Sequence, residues 1–246
     1  MSTRQFAGKR VFVTGAASGI GRRIAERFCD EGATVLGLDR QAGDNTLPFR
    51  ILTANLADAR QVEKISTGLM ADRWYPDILV NAAGVLWFDR DRGAGEMELE
   101  VWRRVIDINL TATLLTMKAA LPLMKANGGG SIVNISTIQC LRGDTAPQDA
   151  YQASKAGVIA LTKSIAIQHA ADGIADIHAQ PVPAWQTPAN QQDRERGETC
   201  TDKACLGPDL QGHIVRMARN HRIIGPEIRQ LRHPFRIGRI GITPGF

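Results

Sequence analysis

The sequence predicts an α/β domain built on a doubly wound parallel sheet. Two observations carry this expectation. Short apolar runs alternate with longer amphipathic ones through residue 172, and a glycine-rich turn, TGAASGIG, joins the first apolar run to the first amphipathic one. A chain of 246 residues is long enough for one sizeable core. Residues 1–246 are therefore read as a single domain, regular over 1–173 and divergent over 174–246, where a lid or sheet edge is expected.

The elements follow in order. RVFVTG reads as the first strand, with a helix from about Gly19 to Glu31. TVLGLD is the second strand, FRILTANL holds the third, and DARQVEKISTGLM is helical. DILVNAAG supplies the fourth strand, and EVWRRVIDINLTATLLTMKAALPLMKA has the period and length of one long helix. GGGSIVNIS enters a fifth strand, and YQASKAGVIALTKSIAIQHAA is a second long helix. Strict alternation favours parallel strands joined by right-handed crossovers, with both faces covered. ADIHAQPVPAWQTP is the next strand in sequence, yet it places Asp176 and His178 where a buried strand should be apolar.

Composition narrows the function classes. The hydrophobic fraction is 43%, as in globular proteins, and no apolar run reaches the ~18 residues of a membrane span. MSTRQFAGKR lacks the apolar segment of a secretory signal. Four scattered cysteines make no disulfide framework, so a reducing cytoplasm is the expected compartment. The net charge is +5, and from residue 210 onward there are seven arginines, no lysine and one acid, Glu227. Those arginines lack interleaved aromatics apart from Phe235, which argues against a nucleic-acid partner. Cys200, Cys205, His213 and His221 do not show the short-pair, long-gap spacing of a zinc finger, and no metal is expected.

The turn between first strand and first helix is shaped for a pyrophosphate, as in a Rossmann-type domain. Gly15 permits the tight turn, Gly19 lets the backbone approach the anion, and Gly21 allows close helix packing. The helix N-terminus, from Ser18 through Ile20, offers free N–H groups. Asp39 ends the second strand 18 residues past Gly21. A carboxylate there accepts bonds from ribose hydroxyls and repels a 2′-phosphate, which favours NAD over NADP. Arg40 blunts that preference if it folds back.

TGAASGIG, NAAG (Asn81, Ala82 and Gly84 among them), DINL with Asn109, SIVNIST and YQASK stand in one order and spacing. In these motifs residues 6–173 resemble the short-chain dehydrogenase/reductase family. The resemblance implies an oxidoreductase with a nicotinamide cofactor, a small alcohol or ketone substrate, and a homo-oligomer, dimer or tetramer. It assigns Tyr151 as proton carrier and Lys155 as its activator and a holder of the nicotinamide ribose. Asn109 is implied to help order a proton-relay water. Asn55 and Leu56 match the pair beside the adenine.

The chemistry of these residues agrees with those roles. On a helix Tyr151 and Lys155 lie one turn apart on one face. A free tyrosine titrates near ~10 and is a poor base at neutral pH. A neighbouring ammonium lowers that value when water is excluded. The family's catalytic serine has no direct equivalent, since the sequence reads Asn134, Ile135, Ser136, Thr137. Aligning Thr137 with the catalytic position requires one extra residue in the loop RGDTAPQDA. Threonine keeps the hydroxyl but adds a methyl and a stiffer χ1, so the expected pocket is narrower. Ser136 should turn to the opposite side.

Beyond Gly173 the family pattern thins. Pro181 survives, Val182 occupies the glycine position, Ile177 the asparagine position, and Thr187 is the expected threonine near the cofactor. Three readings of the tail stay open: a divergent lid on a working enzyme, a segment read out of frame, and a basic segment for an acidic partner. The lead function is an NAD-dependent oxidoreductase moving a hydride between a secondary alcohol or ketone and nicotinamide. The short stretch between second and third strands resembles dehydrogenases of dihydroxy-dihydrobenzoate rings, which suggests a cyclic carbinol. The rival is a non-catalytic or weakly active dinucleotide-binding protein with a degraded C-terminal region.

Overall fold

The computed structural model describes residues 4–44 and 46–179. Among these residues six strands run parallel in one sheet: β1 (Arg10–Thr14), β2 (Thr34–Asp39), β3 (Arg50–Thr53), β4 (Ile78–Asn81), β5 (Gly130–Ile135) and β6 (Ile174–Ala179). Their order is β3-β2-β1-β4-β5-β6. Every neighbouring pair is parallel, with Val11 beside both Val35 and Ile78 at the centre. The chain leaves β1 in one direction for β2 and β3 and returns beside it as β4. The strand order reverses there, and a crevice opens at the strands' carboxyl ends.

The helices are α1 (Gly19–Asp30), α2 (Ala59–Ala71), α3 (Leu99–Ile106), α4 (Ala112–Ala126), α5 (Gln139–Arg142) and α6 (Asp149–His169). Alternate strand residues point to opposite faces. Val11, Val13, Val80, Val133 and Ile135 pack on one face with Ile24, Ala25 and Phe28 of α1. Phe12, Leu79 and Ile132 pack on the other with Leu69 of α2, Met117, Leu123 and Met124 of α4, and Ile165 of α6. Among the described residues, the helical side chains of the first cluster all come from α1. Phe28 is fully buried and meets Phe6 edge-on at 5.1 Å, so truncation to alanine costs about 3–5 kcal/mol.

Two elements depart from the sequence reading. The predicted single helix over 100–126 is broken: a π-helical turn, Asp107–Thr111, separates α3 from α4, and Ala112 N–H reaches back to Asp107 O. Its cause is tertiary, because Asn109 is fully buried and bonded to the backbone of Val85. The strand expected after Gly173 does form, as β6 beside β5, with Asp176 buried in it.

Candidate active site

The glycine turn behaves as its spacing requires. Gly15 and Gly19 have φ of 69° and 53°, the left-handed region that glycine tolerates best. A Cβ on Gly15 would stand 2.8 Å from Ala83 Cα, and one on Gly21 only 2.1 Å from Gly15 O. A Cβ on Gly19 would meet nothing within 4 Å, so its backbone faces open space. Ser18 precedes α1 in extended conformation and makes no side-chain cap bond, leaving the helix's first amides free for an anion.

A cavity of about 340 Å³ lies against this turn. Gly15, Ser18, Gly19, Ile20, Gly21, Asp39, Asn55, Leu56, Ala82 and Gly84 all line it, together with Arg40, Val85 and Arg104. Asp39 is held in place by backbone donors: Ala17 N–H reaches Oδ2 at 3.0 Å and Gln41 N–H reaches Oδ1 at 3.1 Å. Asn55 is fixed in turn, its Oδ1 accepting from Ala57 N–H and its own N–H donating to Gln61 Oε1. Open glycine backbone, free helix amides and a held carboxylate suit an elongated, polar, anionic dinucleotide. The open backbone at Gly19 would take the pyrophosphate on the turn that Gly15 and Gly21 make possible, Asp39 the ribose, and Asn55 and Leu56 the adenine.

The wall from β4 is tied down by two side chains. Thr14 Oγ1 accepts N–H bonds from Ala82 and Ala83, each at 3.1 Å. Asn109 Oδ1 accepts Val85 N–H at 2.7 Å while its Nδ2 donates to Val85 O and to Ser154 Oγ. Asn81 itself is not part of the cavity lining. Its side chain is buried, donating to Asn134 Oδ1 and accepting the Thr116 hydroxyl, so any contact with a cofactor falls to its backbone. For Asn109 the side chain is committed to Val85 and Ser154, and its carbonyl accepts the Thr113 hydroxyl at 2.8 Å. A relay water would therefore use the second lone pair of that carbonyl rather than the amide group.

Tyr151, Lys155 and Thr137 converge beside this wall. Lys155 is buried, and Nζ donates to Ile135 O at 2.8 Å. A Cβ on Gly84 would approach that Nζ and Asn109 Oδ1 to 3.2 Å, which explains a glycine there. Ser136 and Thr137 lie just past β5 and turn apart. Ser136 Oγ donates to Lys155 O, whereas the Thr137 hydroxyl lies on the Tyr151 phenol's side. Thr137 Oγ1 also accepts Gln139 N–H and donates to Gln139 Oε1, both at 3.3 Å. The Gln139 amide is in turn bound by Asp144, in the loop whose extra residue the alignment requires.

Burial sets the electrostatics. It raises the Tyr151 phenol above its ordinary value, and the Thr137 hydroxyl pulls the other way. Burial brings Lys155 down to about 8. Both effects favour uncharged partners, so in the free protein Tyr151 is held as a proton donor. Working as a base requires added positive charge beside it.

Several residues that matter here escaped sequence reading. Thr14 stood inside the quoted motif without a role. Gln139 had no signal, since it acts through a contact that the chain order does not announce. Thr187, with Pro181 and Val182, lies outside the described residues, as do Cys200, Cys205, His213 and His221. Among the described residues no cluster of acids, histidines and cysteines is placed to hold a metal, and no helix is long and apolar enough to cross a membrane.

The comparisons agree with this geometry. The chain is 38% identical over 181 residues to cis-4-hydroxycyclohexanecarboxylate dehydrogenase of Sinomonas cyclohexanicum, covering 69% of this chain and 70% of the relative. It is 31% identical over 169 residues to 2,3-dihydro-2,3-dihydroxybenzoate dehydrogenase of Escherichia coli, covering 69% and 66%. The ligand-free structure of Thermoplasma acidophilum aldohexose dehydrogenase superposes with a TM-score of 0.75 at 28% identity, over 92% of each chain. A short-chain dehydrogenase/reductase structure from Burkholderia xenovorans gives 0.76 at 28% identity, over 90% and 94%. With the family model "short chain dehydrogenase" matching residues 9–197, the chain belongs to the short-chain dehydrogenase/reductase family of nicotinamide-dependent oxidoreductases.

Proposed function

We propose that this protein is an NAD-dependent dehydrogenase of secondary alcohols, with a ring carbinol as the favoured substrate class. The observation that carries the reading is that Lys155 and Tyr151, with Thr137 beside the phenol, lie against Gly84 and Val85 of the cavity lining. When bound, the oxidised nicotinamide supplies the hydride acceptor and a positive charge. Thr137 bonds the substrate oxygen, and Tyr151 takes the hydroxyl proton as the carbinol hydride leaves. The Lys155 ammonium stabilises the tyrosinate that results. In the reverse direction Tyr151 returns the proton to the carbonyl oxygen.

The preference for NAD rests on Asp39, whose carboxylate is fixed by Ala17 and Gln41 amides at the cavity edge. A 2′-phosphate there would face it at contact distance, at a cost of roughly 1–4 kcal/mol. The cyclic substrate rests on two of the relatives, whose names specify a cyclohexane and a dihydrobenzoate ring. Assembly of copies belongs to the same reading, with Leu114 of α4 and Ile167 of α6 exposed as apolar surface.

The test is thermal shift with NADH and NADPH, followed by oxidation of 4-hydroxycyclohexanecarboxylate with NAD. A rise in melting temperature with NADH alone, turnover in wild type and none in Tyr151→Phe support the proposal. Asp39→Ala should relax the NADH/NADPH affinity ratio by roughly 10-fold or more. Cofactor binding without oxidation of any secondary alcohol would favour a non-catalytic dinucleotide-binding protein instead.

A further inference from the structure

The helix that carries Tyr151 and Lys155 does not cap itself. Gln148, which precedes α6, makes no side-chain cap bond. The first-turn amides of α6 are instead met from the loop that follows β4. Asp91 is completely buried, its Oδ1 accepting Ala150 N–H at 3.0 Å and its Oδ2 accepting Tyr151 N–H at 2.8 Å. The seam continues on both sides, as Asp149 N–H donates to Arg92 O at 3.3 Å and Ala94 N–H to Asp149 Oδ2 at 2.8 Å. Asp91 N–H bonds Trp87 O, which closes the loop on itself.

That loop is the continuation of the cofactor wall. Ala82 and Ala83 hang from Thr14, and Val85 hangs from Asn109. Val85 and Trp87 also pack with Tyr151 against Val101, Val105 and Ala150. A carboxylate with both oxygens bonded to consecutive amides fixes the helix end in rise and in rotation, since each residue advances 1.5 Å and turns about 100°. Such bonds are short and strong, and an acid suits the positive end of a helix.

We propose that Asp91 is a positioning residue for the reaction. It fixes the first turn of α6 to the β4 wall, and so sets where the Tyr151 phenol stands relative to Gly84 and Val85. The role rests on the dehydrogenase reading above. A plain helix cap would affect stability alone; a positioning residue also affects the chemical step. Misplacing a reacting group by about 1 Å costs on the order of 100-fold in rate.

Asp91→Asn tests this, because it keeps the volume but turns an amide N–H₂ toward one of the two helix amides. The measurements are oxidation of 4-hydroxycyclohexanecarboxylate, its isotope effect with deuterium at the carbinol carbon, the pH–rate profile, and amide exchange at 149–155. The expected result is a fall in kcat of about 10- to 100-fold, a larger isotope effect, a displaced pH profile and lost protection at Ala150 and Tyr151. The affinity for NADH should stay within about twofold, since the cavity lining is untouched. Asp149→Asn, which loosens only the outer seam, should leave the isotope effect and pH profile as in wild type. Should Asp91→Asn fail to fold, Asp91→Ser, which admits water to both amides, is read in the same way. A lower melting temperature with unchanged kcat, isotope effect and pH profile would overturn the role and leave the dehydrogenase reading standing. Wild type that binds NADH but oxidises no alcohol would overturn that reading and the Asp91 role together.

Discussion

The Lys155 ammonium nitrogen donates to the carbonyl of Ile135, the last residue of β5, at 2.8 Å. This bond ties α6 to the sheet and fixes a buried amine next to Gly84 of the cavity lining. Its burial brings the lysine down to about 8, so at neutral pH most molecules still carry the charge that a tyrosinate needs.

Lys155→Met should therefore lower kcat for alcohol oxidation by about 10²- to 10⁴-fold. Lys155→Arg should not restore it, because a planar guanidinium does not reproduce the compact ammonium that bonds Ile135 O beside Gly84. Oxidation in wild type should quicken as pH rises toward 8, since the buried phenol resists losing its proton, and should level off or fall above it as Lys155 loses its charge; reduction should slow over the same range. Initial rates in both directions between pH 6 and 10 check this, and a flat profile would remove Tyr151 as the proton carrier.

Thr137 offers a separable test. Its hydroxyl lies beside the Tyr151 phenol and bonds the Gln139 amide, and the side chain is buried. Thr137→Val keeps the shape and loses the hydroxyl, so kcat should fall by about 10²-fold or more while NADH affinity holds. Thr137→Ser should retain most activity and accept bulkier rings, because it removes one methyl from the pocket. The readout is kcat and KM over a series of ring alcohols; a valine variant as active as wild type would rule out the assigned role.

The sheet and the nucleotide turn were legible because they depend on local order. Apolar period, three glycines and an acid at a strand end are all visible within 30 residues of one another. Thr137 was less legible, since the motif before it and the count back from the tyrosine disagree by one residue, and only an extra residue in RGDTAPQDA reconciles them. The kink at Asn109 could not be read, because DINLT contains no glycine or proline and its cause is Val85, 24 residues away. Asp91 was equally hidden. Cap rules look one residue before a helix, and this cap comes from 59 and 60 residues upstream.

Asp176 is the residue on which sequence pattern and structure most nearly conflict, and it yields the last prediction. It occupies a position of β6 that should be apolar, yet the strand forms around it. Asn134 Nδ2 donates to its Oδ1 at 2.8 Å and also bonds the Thr162 hydroxyl, and Asn134 Oδ1 receives Asn81. Oδ2 has no hydrogen-bond partner among the described residues. Burial pushes the carboxyl up to about 8, well above its value of about 3.9 in the unfolded chain. The sign follows directly. Below pH 4 both states hold the proton and Asp176 costs nothing through its charge. Between pH 4 and 8 the unfolded chain releases the proton while the folded one keeps it, so stability drains away as pH rises. Asp176→Asn keeps the shape and the bond from Asn134 but has no proton to lose. Its melting temperature should exceed that of wild type by roughly 3 to 8 °C at pH 8, with the gap closing toward pH 4.5. A gap that is constant across this range would mean that packing, rather than the buried carboxyl, sets the difference.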